Sequence, residues 1–371
     1  MDVTPSPAQR LLVSTAREFL RRHCPPERVQ AWALDADGFD RTLWRRMAEL
    51  GWPGLLVPPE HGGSGGTLLD VALLVEEMGY ANLAGPFVVS AVAVTSLLVA
   101  AGSADQRTRL LPALAAGDRI ATLALAEEGG AGDTDDVALV CRVPGRLTGR
   151  KLLVKDAHVA DVLAVVVREA AGEAPSLLLV PSDRPGLRRL PLDAMSGEKL
   201  FEVVFDGVEV SAADRLGARG QAGALLVPAL EAGALARTAE MVGGARRVLD
   251  IVVEHARTRV QGGRPIGAYQ AIQHACADLV RDVDTARGLL HLAAWRAAEG
   301  LPAGTAIAMA KAHAAEACLA VARRGHQVLG AIGYCEEHPL HLLHKRIHAA
   351  SLDFGDARHH LETVARAIGL G

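Results

Sequence analysis

Along roughly the first 118 residues, apolar side chains recur every three or four positions, the spacing that lays them on one face of an α-helix. Thr4 and Ser6 before Pro7 form a helix start, followed by Leu11, Leu12, Phe19 and Leu20 at near-helical intervals. A second helix carries Trp44, Met47 and Leu50 and stops at Gly51, and a third runs over 69–80. Between them, residues 57–66 read Val-Pro-Pro-Glu-His-Gly-Gly-Ser-Gly-Gly, a loop. From Arg119 the texture changes to short unbroken apolar runs beginning at Thr122, Leu152, Val162, Leu177 and Phe201, separated by Gly, Pro and Asp. These read as strands of a sheet or barrel reaching Val210. After Ala212 helical spacing returns in Ala-rich stretches over 220–260, 268–299, 303–330 and 338–369. Helices, then strands, then helices predict an α+β fold in three domains, 1–118, 119–212 and 213–371.

Composition narrows the class. Among 371 residues, 39 basic and 43 acidic side chains leave a net charge of −4, which excludes a nucleic-acid binder held by a basic surface. Half the residues are hydrophobic, yet only six Phe, four Trp and three Tyr occur. The core must be Ala, Leu and Val, which favours closely packed helices. Five scattered cysteines without a CxxC pair predict neither disulfides nor a zinc ribbon and fit a reducing cytoplasm. The acidic, proline-broken start predicts no secretion signal. Residues 83–102 are uncharged over a membrane-spanning length, but Pro86, Ser90, Thr95 and Ser96 interrupt them and no basic cluster flanks them. A buried helix is expected there, and no membrane span.

The chain has no GxGxxG after a strand and no GxxxxGK[ST], so any nucleotide must be held without a Rossmann or P-loop motif. His338, His341, His344 and His348 share a helical face, but without HExxH or a placed carboxylate the expectation is an interface-lining helix and no metal. Residues 257–274 carry the most chemistry. A helix ends in arginines, passes through Gly-Gly-Arg-Pro-Ile-Gly and restarts. Arg259 and Arg264 beside the next helix start suit a pyrophosphate; a tight helix connection with solvated arginines is the other reading.

That segment closely resembles the acyl-CoA dehydrogenase signature Arg-x-Gln-Phe-Gly-[RK]-Pro-Ile. Gly51-Trp52, the 57–63 loop and Glu76-Glu77-Met78-Gly79 resemble the family's N-terminal domain. The stretch starting Ala126-Glu127-Glu128-Gly129-Gly130-Ala131-Gly132 stands where the family has its Thr-Glu-Pro-x-Ala-Gly-Ser flavin loop. Gln327 to Gly333 resembles Gln-x-x-Gly-Gly-x-Gly. The resemblance implies an N-terminal helical domain, a middle β-domain and a C-terminal four-helix bundle, assembled as a homo- or hetero-oligomer (dimer or tetramer). It implies FAD, with Arg259 and Gln327 gripping its diphosphate and adenosine part across a subunit interface, Gly330 and Gly333 allowing close backbone approach, and Ala126 in the flavin loop. The implied reaction is α,β-dehydrogenation of an acyl-CoA thioester: a carboxylate removes the α-proton while the β-hydride passes to flavin N5. Electrons would leave to an electron-transfer flavoprotein.

Departures are also visible: Gly262 replaces the signature phenylalanine, Ala331 a glycine, Ala126 a threonine, and Val154, Lys155 and Asp156 the later Trp-Ile-[ST] residues. Counting without gaps from Gln327, the family's usual glutamate base falls at Phe354, flanked by Asp353 and Asp356. Asp356 is the first candidate base. The family's alternative base position counts to Gly233, two residues from Glu231. Two readings follow: a working dehydrogenase for a bulky or branched acyl group, or a non-catalytic partner subunit completing another chain's FAD site.

Overall fold

A computed structural model describes residues 4–129, 134 and 136–370. In chain order the helices are α1 (Pro7–His23), α2 (Pro26–Leu34), α3 (Arg41–Glu49), α4 (Leu68–Tyr80), α5 (Thr95–Ala101), α6 (Ala104–Ala115), α7 (Ala222–Thr258), α8 (Gln270–Ala298), α9 (Gly304–Leu329), α10 (Leu340–Leu352) and α11 (Ala357–Ala367). The strands are β1 (Ala121–Ala124), β2 (Gly145–Lys155), β3 (Val162–Arg168), β4 (Pro175–Pro181), β5 (Leu187–Leu192), β6 (Leu200–Val210), β7 (Arg215–Leu216), β8 (Val260–Gln261) and β9 (Arg264–Pro265). The α+β class and its order of helices, strands and helices are as the sequence predicts.

One compact unit comprises the described residues of Met1–Leu34, Thr67–Leu83 and Ala234–Gly371. Its first helix starts where expected: Ser6 caps α1 by accepting from the Gln9 N–H at 3.2 Å, and the Gln9 side chain returns to the Ser6 N–H at 2.9 Å. Within this unit α4 and α7 meet backbone to backbone. A Cβ on Gly79 would stand 2.2 Å from the Glu240 carbonyl oxygen, and one on Gly243 would stand 1.9 Å from that of Glu76. Glu76 is buried at this crossing among Arg246 (2.5 Å), Arg287 (2.8 Å) and His291 (3.0 Å). Burial alone would push its pKa up. The His291 hydrogen bond and the charges of Arg287 and Arg246 outweigh that and hold the carboxyl below its ordinary range.

The second unit, Asp35–Gly66 and Ala84–Gly233, holds both large sheets. One has the strand order β1-β3-β4-β7, with β1 parallel to β3, and the other the order β2-β6-β5, entirely antiparallel. β3 is apolar without alternation because both its faces are covered. Val162, Ala164 and Val166 pack with Leu97, Leu98, Leu110 and Leu111 from α5 and α6. Leu163, Val165 and Val167 pack with Leu147, Val203 and Phe205 from the second sheet.

The uncharged stretch at 83–102 is buried in this unit. Residues Phe87–Val94 form a π-helical segment with every side chain buried, continuing into α5. Its polar groups have partners: Ser90 Oγ accepts from the Ala121 N–H at 2.9 Å, and Thr95 Oγ1 donates to the Ser90 carbonyl at 2.9 Å. A different helical stretch, Gly304–Tyr334, is long and apolar enough to cross a membrane, with 61% of its apolar window buried in the fold.

Several elements differ from the expectation, among them the short strands β7, β8 and β9, which lie beyond Ala212 where only helices were expected. The stretch 338–369 is two helices, α10 and α11, broken at residues 353–356. β5 was not anticipated, because in Leu-Arg-Arg-Leu-Pro-Leu two arginines and a proline interrupt the leucines. It is an edge strand, where a polar face and Pro191 are tolerated.

Candidate active site

The arginine segment leaves α7 as a small hairpin. The Arg259 N–H closes the last helical turn onto the His255 carbonyl at 2.9 Å, and β8 pairs with β9 through Gly262 (φ +59°) and Gly263 (φ +77°). Two central residues with positive φ make the tight turn that suits paired strands. The glycine at 262 has a second cause. A Cβ there would lie 2.5 Å from the Tyr269 hydroxyl, which donates to the Gln261 carbonyl at 2.9 Å, so Tyr269 occupies the space a turn side chain would need. The Arg264 guanidinium covers the Tyr269 ring at 4.2 Å. Arg259 is exposed, with no side-chain partner among the described residues.

Gln327, Gly330 and Gly333 lie on one corner of the same unit, where α9 runs into a 3-10 turn, Gly330–Tyr334. Gln327 is exposed. Gly330 adopts φ +68°, ψ −143°, a conformation open only to glycine, and no atom lies within 4 Å of a Cβ built on it. Gly333 is buried and has no room to spare: a Cβ would meet Leu329, His326 Nδ1 and a Leu340 methyl at 3.2–3.3 Å. The histidines gather here. His326 stacks on Tyr334 with ring centres 4.7 Å apart and lies 5.0 Å from His344, while His338 Nδ1 accepts from the Leu340 N–H at 3.2 Å. Burial holds His326, His338 and His344 below the ordinary imidazole range. Among the described residues, no group of three or more His, Cys, Asp or Glu is placed to hold a metal ion. The charge of His255 contributes to the shift at His338, and His255 in turn feels Arg259, so the hairpin base neighbours this corner. Arg259, Gln327 and Gly330 are all exposed, and between them they offer a guanidinium fork, an amide and a backbone without Cβ.

Ala126 belongs to the other unit. It follows β1, is half-buried, and its carbonyl accepts from the Leu152 N–H at 2.8 Å. Beside it, Lys151 has no exposed side-chain surface, donates to the Leu125 carbonyl at 3.0 Å and pairs with Glu127. Gly130, Ala131 and Gly132 of the expected flavin loop lie outside the described residues. The β2–β6 register shifts between Lys151 and Val154. This shift turns Leu153 outward, at φ +54° and 59% exposed, while Val154 is buried in the core. The outward residue of this stretch is therefore Leu153. Sequence counting missed it because a leucine inside an apolar run carries no mark of a bulge.

Of the carboxylates, Asp356 is exposed and caps α11, accepting from the His359 N–H at 2.8 Å. Asp353 receives the Arg237 Nε–H at 2.7 Å. Glu231, on α7, is half-buried without a side-chain partner among the described residues, and burial raises its pKa.

Comparison with known proteins gives the family. The family models for the N-terminal and C-terminal domains of acyl-CoA dehydrogenase match residues 6–118 and 224–369. Benzylmalonyl-CoA dehydrogenase of Aromatoleum aromaticum is 32% identical, covering 92% of each chain. Acyl-CoA dehydrogenase FadE27 of Mycobacterium tuberculosis is 32% identical, covering 99% of each. The crystal structure of the ChsE4-ChsE5 complex from the same organism matches with a TM-score of 0.91 at 30% identity over the whole of both chains. The chain belongs to the acyl-CoA dehydrogenase family. It is an FAD-dependent oxidoreductase of the acyl-CoA dehydrogenase type.

Proposed function

We propose that this chain removes the α-proton of an acyl-CoA thioester with one of its own carboxylates, and that Arg259, Gln327, Gly330 and Gly333 hold FAD. The observation that carries the reading is the exposed Arg259 beside a corner whose Gly330 backbone is open to close approach. When bound, FAD supplies the acceptor for the hydride leaving the β-carbon. Arg259 offers a forked donor to the diphosphate, Gln327 an amide, and Gly330 a backbone free of any Cβ. Ala126 stands in the flavin loop, held by Lys151 and Glu127 on either side of its backbone. The three-part division 1–118, 119–212 and 213–371 is our functional division, supported by family matches at 6–118 and 224–369.

Two carboxylates compete for the base. Asp356 is favoured by its place beside the register position at Phe354, but it is exposed and occupied as a helix cap. Glu231 is favoured by burial, which lifts its pKa toward the working range of a general base. Glu231 is our assignment. Because Arg259 and Gln327 have no side-chain partners among the described residues, we place the FAD site at a contact between subunits of a dimer or tetramer, with an electron-transfer flavoprotein as the electron acceptor. The five free cysteines support the cytoplasm as its location.

The test is the visible spectrum of the purified protein with excess FAD, followed by anaerobic thioester titration. Wild-type flavin should bleach. E231Q should keep the oxidised-flavin spectrum and lose the bleaching, whereas D356N should keep both. The reverse pattern assigns the base to Asp356. A colourless protein that takes up FAD only with a second chain would favour the partner-subunit reading, to which the two-chain ChsE4-ChsE5 relative lends support.

A further inference from the structure

Three histidines meet where α9 runs into its 3-10 turn and α10 begins, and no acid balances the charge they can carry. His326 and His344 stand with ring centres 5.0 Å apart, and Tyr334 stacks on His326 at 4.7 Å. His326 is buried, and its Nδ1 has no hydrogen-bond partner among the described residues. That atom faces the Gly333 backbone, where a Cβ would lie 3.3 Å away, and Gly333 shares its turn with the open Gly330. His338 is half-buried just ahead of α10, its Nδ1 taken by the Leu340 N–H. None of the three has an ion-pair partner among the described residues.

The ionisable groups that act on these rings are all bases. α9 contributes Arg323, α10 His341 and His348, and α7 His255, which itself feels Arg259. The acids on this end of the unit are engaged or solvated: Asp278 and Asp282 of α8 face Arg324 at 3.7 and 3.0 Å, and Glu336 and Glu337 of the turn are exposed. Packing alone does not explain such a cluster, because leucine or phenylalanine would fill these positions without burying polar ring nitrogens. What the cluster lacks is negative charge, and an anionic ligand supplies it.

We propose that this corner is a proton-coupled anion site, in which His326, His338 and His344 take up a proton when the diphosphate of a nucleotide cofactor binds beside Gln327 and Gly330. The inference rests on the FAD reading and adds regulation to it, with cofactor affinity set by pH. The direction follows from linkage. In the empty site burial and the neighbouring bases hold the three rings below the ordinary imidazole range, so they are neutral near pH 7. A diphosphate alongside favours the charged ring and raises its pKa, so the complex holds more protons than the apoprotein. Affinity for the anion therefore rises as pH falls from the raised value to the lowered one.

The experiment is calorimetric titration of the apoprotein with FAD in two buffers of different ionisation enthalpy, which counts protons taken up on binding. Flavin fluorescence gives the affinity from about pH 8 to about pH 6, a range in which arginine keeps its charge, as does the diphosphate of FAD. Wild type should take up protons, and its dissociation constant should fall about tenfold across that range. H326F/H338N/H344F keeps the stacked rings and an acceptor for the Leu340 N–H, and should bind FAD without uptake and with a flat profile. If this variant does not fold, H338N and H344F singly decide, each lowering the count. Binding by wild type without uptake, or undiminished uptake in a folded variant, overturns the proposal. Equal uptake with riboflavin, which has no diphosphate, also overturns it. Uptake with dephospho-coenzyme A but none with FAD would move the anion to the thioester's carrier and overturn the cofactor assignment. An apoprotein that binds FAD at no pH would strike the FAD reading itself, which is a distinguishable result.

Discussion

Lys151 and Glu127 form an ion pair in which the ammonium is wholly buried and the carboxylate nearly so, between β2 and the stretch that follows β1. Burial pulls the lysine pKa down even with Glu127 beside it. Glu127 also accepts from the Ala138 N–H at 2.9 Å and the Leu139 N–H at 3.1 Å, so it ties three segments of chain around Ala126. Removing one partner strands a buried charge. E127A should destabilise the protein by about 3–5 kcal/mol in chemical denaturation, while K151M/E127M, which removes both charges, should cost clearly less. Equal losses in the two variants would show that the pair is not the cause.

Arg259 and Gln327 are exposed and have no side-chain partners among the described residues, so their loss should spare the fold. R259A and Q327A should each weaken FAD binding by the apoprotein about 10-fold or more, read by flavin fluorescence, with circular dichroism unchanged. R259K should fall between, because lysine keeps the charge but not the forked donor. Unaltered FAD affinity in R259A would exclude it as a cofactor residue.

Gly330 and Gly243 should respond to alanine for opposite reasons. At Gly330 there is open space but a forbidden backbone angle, so G330A should cost about 1–3 kcal/mol and distort the α9 corner, lowering FAD affinity. At Gly243 the obstacle is the Glu76 carbonyl at 1.9 Å, which belongs to a packed helix and cannot yield. G243A should be more than 3 kcal/mol destabilising or prevent folding. Thermal melts of the two variants side by side check the ordering.

His360 makes the fold acid-sensitive. Burial lowers its pKa from 6.5 to about 4, so between those values the unfolded chain binds a proton that the folded chain refuses. Stability is therefore complete above pH 6.5, declines as pH falls toward 4, and loses on the order of 3 kcal/mol from this group. His326, His338 and His344 add to the same limb because their pKa values are also lowered. H360Q, which can still donate to the Phe354 carbonyl, should flatten the fall in melting temperature between pH 6.5 and 4. An unaltered slope would remove His360 from the account.

Helices and strands with long apolar patterns were legible because burial imposes their spacing: α1 with its Ser6 cap, α7, α8, α9, and β3 with both faces covered. The hairpin at Gly262 and the bulge at Leu153 were not legible, since each depends on a contact with a residue elsewhere, Tyr269 in one case and the β6 register in the other. The same holds for the site. Arg259 and Gln327 could be picked out by motif, whereas the roles of Asp356 and Asp353 as cap and ion-pair partner emerge only once α11 and Arg237 are in place. Residues 338–369 read as one helix because the apolar pattern resumes at once after Gly355 and Asp356, and the stop-and-cap role of that pair is plain only once Asp356 is seen capping α11.

The two compact units are discontinuous in sequence, and the chain passes from one to the other four times, after residues 34, 66, 83 and 233. During synthesis α1, α2 and α4 emerge early, but α8 through α11, which complete their unit, arrive only with the last third of the chain. At ribosomal speed that delay is roughly 15–60 s. For that interval Glu77 already has Arg17 of α1, but Glu76 waits without Arg246, Arg287 and His291, and the apolar flank of α4 without its cover. Expressing residues 1–118 alone should for the same reason yield insoluble material.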